Sequence, residues 1–267
     1  MKKNHLFIAI VFMGTLLGYM SAQKTSNTMT SKYHSVLIGD NTAMKTDTFK
    51  TSKGDMVIHF LGHASLMFEF NKMNIYVDPF FQAVDYSTLP KANLILVTHS
   101  HFDHFDLDAI KKIYSTNTQM VYTQDCANTK KYAGSVILMN NGDKQTIEGI
   151  TIQAVAAYNI EHKRPDGKLF HPKGEGNGYI LTFGDKRVYV AGDTENIPEM
   201  KKLGKIDIAF LPMNLPYTMT PEQAADAAKM VQPKVFYPYH FGETDVTKLI
   251  DLMKEEKGIE MRVREMK

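Results

Sequence analysis

Three histidines and two aspartates lie within nine residues, in the segment THSHFDHFD at positions 98–106. The whole chain has only ten histidines, so this density points to a shared chemical task. His99 and His101 are two residues apart after an apolar segment, so on an extended backbone both side chains can point the same way. Asp103 and His104 follow a bend and can reach a second ion. The segment therefore predicts a site for two metal ions.

Three more candidate ligands lie at or near the ends of other predicted strands, namely His171, Asp193 and His240. Because strands of one sheet can deliver their end loops to a common edge, we expect these residues to converge with segment 98–106. Histidine and carboxylate ligands are typical of catalytic metal sites, whereas structural zinc sites favour several cysteines. The chain has one cysteine, Cys126, which we interpret as a small core residue. The composition therefore favours a catalytic metal site.

Short apolar strands mixed with helices must position these residues, and this pattern predicts an α/β fold. Strands are expected as a meander within 56–79, within 93–100, 119–122, 135–138 and 150–155, as a hairpin within 178–194, and within 206–212, 234–240 and 259–263. Helices are expected over 106–114, over 221–231 with Thr220 as the N-cap, and over 245–256.

The first 22 residues have the pattern of a secretory signal peptide. Lys2 and Lys3 are followed by an almost wholly apolar stretch at 6–20 and then by Ser21 and Ala22. An uncleaved membrane anchor is the alternative, but a bilayer needs about 20 apolar residues. We therefore predict cleavage after Ala22 and an exported protein, either periplasmic or secreted, with no stable membrane anchor.

Two further parts of the chain are expected after the signal peptide. Residues 23–48 are rich in serine and threonine and predict an exposed arm, with a short strand at 35–38. Residues 49–267 predict one domain. Without Lys2 and Lys3, 29 basic residues balance 29 acidic ones, so the mature charge is zero. That balance indicates neither a nucleic-acid nor a membrane partner, and it leaves the oligomeric state open.

Six short motifs together resemble the metallo-β-lactamase superfamily. In chain order they are GHASL, VDPF, THSHFDHFD, HPKG, AGDT and YPYHFG. Their order is similar to that in the lactonase-like branch, which includes ascorbate-6-phosphate lactonases and resembles the N-acyl phosphatidylethanolamine phospholipase D family. The resemblance covers about residues 49–267. It implies a four-layer αββα sandwich with a dinuclear site at one edge.

The same resemblance implies a ligand set. One ion would be held by His99, His101 and His171, and the other by Asp103, His104 and His240. Asp193 would bridge both ions. The ions are expected to be zinc, with manganese or iron as alternatives, since histidine and carboxylate ligands suit all three.

Three assignments near these motifs have more than one possible interpretation. The third histidine of the first ion is His162 or His171, and we favour His171 because HPKG resembles the family motif. His63 is expected to pack or to orient a ligand rather than to bind metal, and it is a candidate for protonating the leaving group. Asp78 either orients a ligand histidine through the second ring nitrogen or serves as a turn residue before Pro79.

These features predict a metal-dependent hydrolase that activates water for attack on an ester, a lactone or a phosphodiester. Asp103 and Asp193 would be its catalytic carboxylates, and Asp193 could also steer the water. The better-known β-lactamases of this superfamily have a cysteine at the position of Asp193, so an amide hydrolase of that type is a weaker alternative. The superfamily's paired-iron redox members depart from the H-x-H-x-D-H pattern, so oxygen chemistry is disfavoured as well. A metal-binding envelope protein without catalytic activity is the non-enzymatic alternative.

Substrate-binding features are less specific. Lys163, Arg164, Lys168 and Lys173 surround His171, and such a run is either a solvated face or a rim that binds an anionic small-molecule substrate. The apolar loop 213–220 could form a wall of the pocket or could belong to the core.

Overall fold

The computed structural model describes residues 45–130 and 134–266. The first of its two seven-stranded sheets contains the strands of the N-terminal half, in sequence order. They are β1 (Thr46–Thr51), β2 (Gly54–Gly62), β3 (Ser65–Phe70), β4 (Met73–Val77), β5 (Leu94–Leu96), β6 (Gln119–Tyr122) and β7 (Val136–Leu138). Strands β1 to β4 are antiparallel, and β4 to β7 are parallel.

The second sheet contains the strands of the C-terminal half, again as neighbours in sequence order. They are β8 (Lys144–Ile147), β9 (Ile150–Ala157), β10 (Gly176–Phe183), β11 (Lys186–Val190), β12 (Ile208–Pro212), β13 (Val235–Tyr239) and β14 (Glu260–Met261). Strands β8 to β11 form antiparallel pairs, whereas β11 to β14 run parallel. The two sheets therefore share a plan of an antiparallel meander followed by parallel strands.

Four α-helices lie in the described part of the chain: α1 (Leu107–Ile113), α2 (Gln124–Thr129), α3 (Pro221–Val231) and α4 (Val246–Met253). The predicted cap of α3 is confirmed, because the Thr220 side chain accepts from the backbone N–H of Gln223 and the Gln223 side chain accepts from that of Thr220. This reciprocal pair satisfies two donors that a helix N-terminus otherwise leaves open.

The core confirms the predicted α/β sandwich. The inner faces of both sheets form one hydrophobic cluster, in which Phe68 of β3 stacks on Phe183 of β10 with ring centroids 5.5 Å apart. Alternate residues such as Met67 and Ile95 point to the other face of the first sheet, where they pack against Ile110 of α1. Helix α3 packs against β12 of the second sheet. Each sheet is thus covered by the other sheet on one face and by a helix on the other.

The N-terminal edge differs from the predicted boundary, because β1 begins at Thr46, inside the predicted arm of 23–48. Asp47 accepts hydrogen bonds from Arg262 at 3.0 Å and Arg264 at 2.7 Å, and from the hydroxyl of Tyr237. These contacts tie β1 to the C-terminal residues. The predicted signal peptide, the strand at 35–38 and most of the arm lie outside the described residues. Among the residues described, none of the helices has the length and apolarity to cross a membrane.

Candidate metal centre

The first group of candidate ligands consists of three histidines whose ring nitrogens face one another. His99 and His101 follow β5, and His171 lies in the loop before β10. His101 Nδ1 is 3.0 Å from His99 Nε2 and 3.3 Å from His171 Nε2. All three rings therefore aim a nitrogen at one point, as three ligands of a single ion would.

The second group lies beside the first. His104 Nε2 and His240 Nε2 are 3.2 Å apart, and Asp103 Oδ2 lies 3.8 Å from the first and 3.9 Å from the second. His63 Nε2 is 2.9 Å from the same Asp103 oxygen. His63 is therefore close enough to belong to this group, and it also lines the cleft above the site. Its contact with Asp103 agrees with the predicted orienting role.

Asp193 lies between the two groups. Its Oδ1 is 3.5 Å from Nε2 of both His104 and His240. Its Oδ2 is 3.2 Å from His171 Nε2 and 3.9 Å from His99 Nε2. One carboxylate therefore turns one oxygen to each group, which is the arrangement of a bridging ligand. The structure brings together all seven predicted ligands.

Buried acceptors fix the orientation of the histidine rings. Asp78 is fully buried and accepts from Thr98 Oγ1 at 2.7 Å and from His104 Nδ1 at 2.8 Å. The Thr98 hydroxyl donates its single proton to Asp78, so it acts as the acceptor for His99 Nδ1 at 3.0 Å. A ring nitrogen that donates leaves the opposite Nε2 with a free lone pair. Asp78 therefore directs two lone pairs into the centre, and its role is orientation rather than turn formation alone.

His171 is oriented through Asn159. The Asn159 amide oxygen accepts from His171 Nδ1 at 2.6 Å and from the His171 backbone N–H at 2.8 Å. The Asn159 amide nitrogen donates to Glu195 Oε1 at 2.8 Å. The other sequence candidate, His162, contacts Glu195 at 2.9 Å and belongs to neither ligand group. The structure therefore places His171 among the candidate ligands. His162 lies outside them, against the Glu195 side chain that holds Asn159.

Glu195 was missed by the sequence analysis. It is fully buried and accepts from Asn159 and from the His162 ring, and from three consecutive backbone N–H groups, of residues 160–162, at 2.8–2.9 Å. Burial alone would raise the pKa of this carboxyl group, but these donors lower it. Its only sequence signal is its place two residues after Asp193. Glu195 fixes the loop that carries His171.

Glu195→Gln is expected to reduce hydrolysis and metal content about 10–100-fold, the usual cost of losing a group that orients a metal ligand. An amide NH₂ would face donors that now meet a carboxylate, so Asn159 and His171 would shift. Glu199→Gln is the matched control, because Glu199 binds Lys173 and Tyr158 at the surface and should keep full metal content. Turnover and metal content of both variants measure the effect. Wild-type values of both quantities in Glu195→Gln would contradict the orienting role of Glu195.

The electrostatics of the site point to a cation. Burial, with help from nearby His171, lowers the pKa of His101 to about 4. Burial also acts to lower the pKa of His104, but Asp193 and Asp103 in front of its ring, together with its own partner carboxylate, raise that pKa to about 10. A positive charge is therefore favoured beside the carboxylates of Asp103 and Asp193. His101 stays neutral, so its lone pair is available to a metal ion.

The residues present fit bound divalent metal ions. Asp193 Oδ1 and His240 Nδ1 are buried without a hydrogen-bond partner, which is costly unless another interaction compensates. Burial would raise the pKa of Asp193, but His240 and His104 lower it well below its usual value, so the carboxylate is charged. A buried anion encircled by histidine lone pairs is a donor set for divalent cations.

The backbone is strained at three points of the centre. His63, Asp78 and His240 have φ values of 53°, 47° and 46°, in the left-handed region that non-glycine residues rarely adopt. The His63 carbonyl accepts from the His240 N–H at 3.1 Å, which joins two of these positions. Gly192, with φ of 66°, precedes Asp193, and a Cβ there would lie 2.8 Å from the carbonyl oxygen of Asn177. Such strain is typical of functional sites.

An open cleft of about 510 Å³ gives access to the centre. Besides the ligands His101, Asp103, His171, Asp193 and His240, the cleft is lined by His63, Phe102, Arg164, Phe170, Asn214 and Tyr217. Of loop 213–220, Tyr217 is 45% exposed at the cleft, whereas Met213 and Met219 are buried in the core. The loop therefore serves as both wall and core.

Residues 57–240 match the family described as the β-lactamase superfamily domain, which is more than half of the 267-residue chain. The chain belongs to this superfamily. A UPF0173 metal-dependent hydrolase from Methanopyrus kandleri is 33% identical over 201 residues, which cover 70% of this chain and 84% of the relative. The fold and family predicted from the six motifs are thus confirmed.

Two solved structures are similar to this chain. A protein from Parabacteroides distasonis, described as a metal-dependent hydrolase, is 44% identical with a TM-score of 0.78, covering 84% of this chain and 100% of that one. Igni18, a metallo hydrolase from Ignicoccus hospitalis, is 23% identical with a TM-score of 0.64, covering 79% of this chain and 95% of that one. The second likeness supports the fold alone.

Proposed function

We propose that this chain is a metal-dependent hydrolase that binds two divalent ions and hydrolyses an ester, lactone or phosphodiester bond in a small molecule. The observation that carries the proposal is Asp193, whose two oxygens face two separate groups of ligands. Relatives named as metal-dependent hydrolases support the hydrolase assignment. Zinc is the expected metal, and manganese or iron also suit these ligands.

Each group in the site has a task in this proposal. His99, His101 and His171 would hold one ion, whereas Asp103, His104 and His240 would hold the other. Bound ions of this kind supply an activated water and polarise the substrate oxygen. Asp193 would bridge the two ions, and its carboxylate could accept a hydrogen bond from the attacking water and so orient it. His63 lines the cleft, and it is our candidate for the residue that passes a proton to the leaving group.

Hydrolysis of β-lactams through a cysteine ligand has little support here. Cys126 is buried in the hydrophobic cluster around α1, outside the ligand groups. Burial raises the pKa of its thiol to about 11, so the thiolate that a metal requires is disfavoured. A passive metal-binding role is also a weaker proposal, because the cleft exposes the ligand residues to a small molecule.

A substrate screen tests the proposed reaction. The metal-loaded mature protein would be assayed against p-nitrophenyl esters, lactones, a phosphodiester and a chromogenic cephalosporin, with Asp193→Ala as the inactive control. We expect turnover of at least one ester, lactone or phosphodiester, and its loss in Asp193→Ala. Turnover of the cephalosporin alone, or an equal rate in both proteins, would refute the proposal.

We further propose that the protein is exported. The charged and apolar pattern of residues 1–22 predicts a mature chain that begins near Gln23. Cell fractionation and mass spectrometry of the native protein measure this directly. An intact Met1 in the cytoplasmic fraction would be the contrary result.

A further inference from the structure

Only one member of the basic run around His171 lines the cleft. Lys173 binds Glu199 at 2.7 Å, and Lys168 lies 4.0 Å from Asp166 at the surface. Arg164 lines the cleft, and Lys163 does not. The structure therefore narrows the predicted anion-binding rim from four side chains to the guanidinium of Arg164.

Arg164 is held in place by the hairpin in which it lies, which is closed by the pairing of Lys163 with Leu169. Its backbone N–H donates to the carbonyl of Lys168 at 2.7 Å, its carbonyl accepts from Gly167 at 2.9 Å, and its Nη2 donates to the carbonyl of Phe170 at 2.9 Å. Among residues 45–130 and 134–266, Arg164 forms no ion pair with a carboxylate. A preorganised guanidinium without an anionic partner is well suited to bind a carboxylate or a phosphate in bidentate fashion.

The guanidinium also lies very near the reacting centre. Arg164 Nη2 is 3.2 Å from His101 Nε2, while His101 Nδ1 faces the other two histidines of its group. If His101 used Nδ1 to bind an ion, its Nε2 would carry the proton and could no longer accept from Arg164. The Nη2 proton that does not bind Phe170 would then be available to a ligand one imidazole ring away from the ion.

Three aromatic side chains, of Phe102, Phe170 and Tyr217, also line the cleft. Phe102 is 69% exposed and Tyr217 is 45% exposed, and Phe170 packs edge-on against Tyr217 with centroids 5.0 Å apart. Among the described residues that line the cleft, Arg164 is the one lysine or arginine. Exposed aromatic rings beside this guanidinium fit a ligand that has both an apolar body and an anionic group.

We propose that Arg164 binds an anionic group of the substrate, a carboxylate or a phosphate, close to the bond that is cleaved, while Phe102 and Tyr217 contact its apolar part. This inference deepens the proposed function and rests on it. The substrate class is thus a small amphipathic ester, lactone or phosphodiester that carries a negative charge within a few bonds of the scissile bond. Arg164 would be a specificity-determining residue.

The test compares neutral and anionic substrates. The proteins are wild type, Arg164→Gln, Arg164→Lys and the control Lys168→Gln, all metal-loaded. The substrates are p-nitrophenyl acetate, mono-p-nitrophenyl glutarate and the p-nitrophenyl ester of phosphonoacetic acid. In Arg164→Gln we expect KM to rise about 10–100-fold for the anionic esters, with kcat, metal content and the neutral ester unchanged. Lys168→Gln should match wild type. The anionic ester whose KM rises more in Arg164→Gln identifies the group that Arg164 binds, a carboxylate for the glutarate ester or a phosphate-like group for the phosphonoacetate ester.

A binding measurement separates this inference from the proposed reaction. Calorimetric titration of the same proteins with benzoate and with benzylphosphonate should show weaker binding in Arg164→Gln, even where no substrate is turned over. If wild type hydrolysed neither these esters nor any ester, lactone or phosphodiester of the substrate screen while this difference persisted, the proposed reaction would be wrong and the anion site correct. An equal loss on neutral and anionic esters, a loss of metal in Arg164→Gln, or unchanged anion binding would overturn the role of Arg164.

Discussion

His171→Ala is expected to abolish hydrolysis and to remove metal mainly from the group of His99 and His101. The substitution deletes the Nε2 that lies 3.3 Å from His101 Nδ1 and 3.2 Å from Asp193. Loss of a group that merely orients a ligand costs about 10–100-fold in affinity or activity, so loss of a ligand itself should exceed that. Turnover and elemental analysis measure both effects.

His162→Ala is the matched comparison, because His162 lies in the same loop and contacts Glu195 rather than the centre. The three backbone donors and Asn159 would still satisfy Glu195, so metal content should stay within about twofold of wild type, the range expected of a change outside the ligand set. Loss of metal in His162→Ala with retention in His171→Ala would reverse the assignment. Equal retention in both would place the third ligand elsewhere, with His63 as the next candidate.

Removal of the ions by a chelator is expected to abolish hydrolysis and to lower Tm by about 5–10 °C. A ligand that binds only the folded state at 100 times its Kd adds about 2.7 kcal/mol to the free energy of unfolding, and each kcal/mol moves Tm by about 2–4 °C in a domain of this size. In addition, Asp103 and Asp193 would lose the cation that compensates their burial. Calorimetry before and after metal is restored measures the shift. Full activity in protein verified as metal-free would contradict the expectation.

The convergence of the candidate ligands was predictable because most of them belong to a short motif next to a strand, and the resemblance to the superfamily added His171. His99 and His101 follow β5, Asp193 follows β11 and His240 follows β13. Apolar runs locate such strands in the sequence, and the topology then brings their ends to one edge. The antiparallel meander and the capped helix α3 were predictable for the same local reasons.

The supporting groups were not predictable from local pattern. Glu195 is recognisable only from the donors that surround it, and these come from a loop about 35 residues earlier in the chain. Strand β8 (Lys144–Ile147) was missed because most of its residues are exposed and polar, which hides the alternation that marks a half-buried strand. Helix α2 spans six residues, too few for a helical period to stand out.

The role of each residue in the basic run around His171 was also not predictable from the sequence. The sequence places four cations around His171, but it does not reveal that Lys173 is engaged with Glu199 or that Arg164 points to His101. Which cation can reach a ligand depends on the hairpin between Lys163 and Leu169, and that is a tertiary feature. Charge counting alone therefore overestimates the anion-binding surface.

Elemental analysis of the purified mature protein after reconstitution tests the central claim most directly. Two groups of ligands joined by Asp193 predict about two divalent ions per chain, with hydrolysis rising as the second ion is bound. A folded protein that never holds more than a trace of metal, or that saturates at one ion with full activity, would contradict the dinuclear centre.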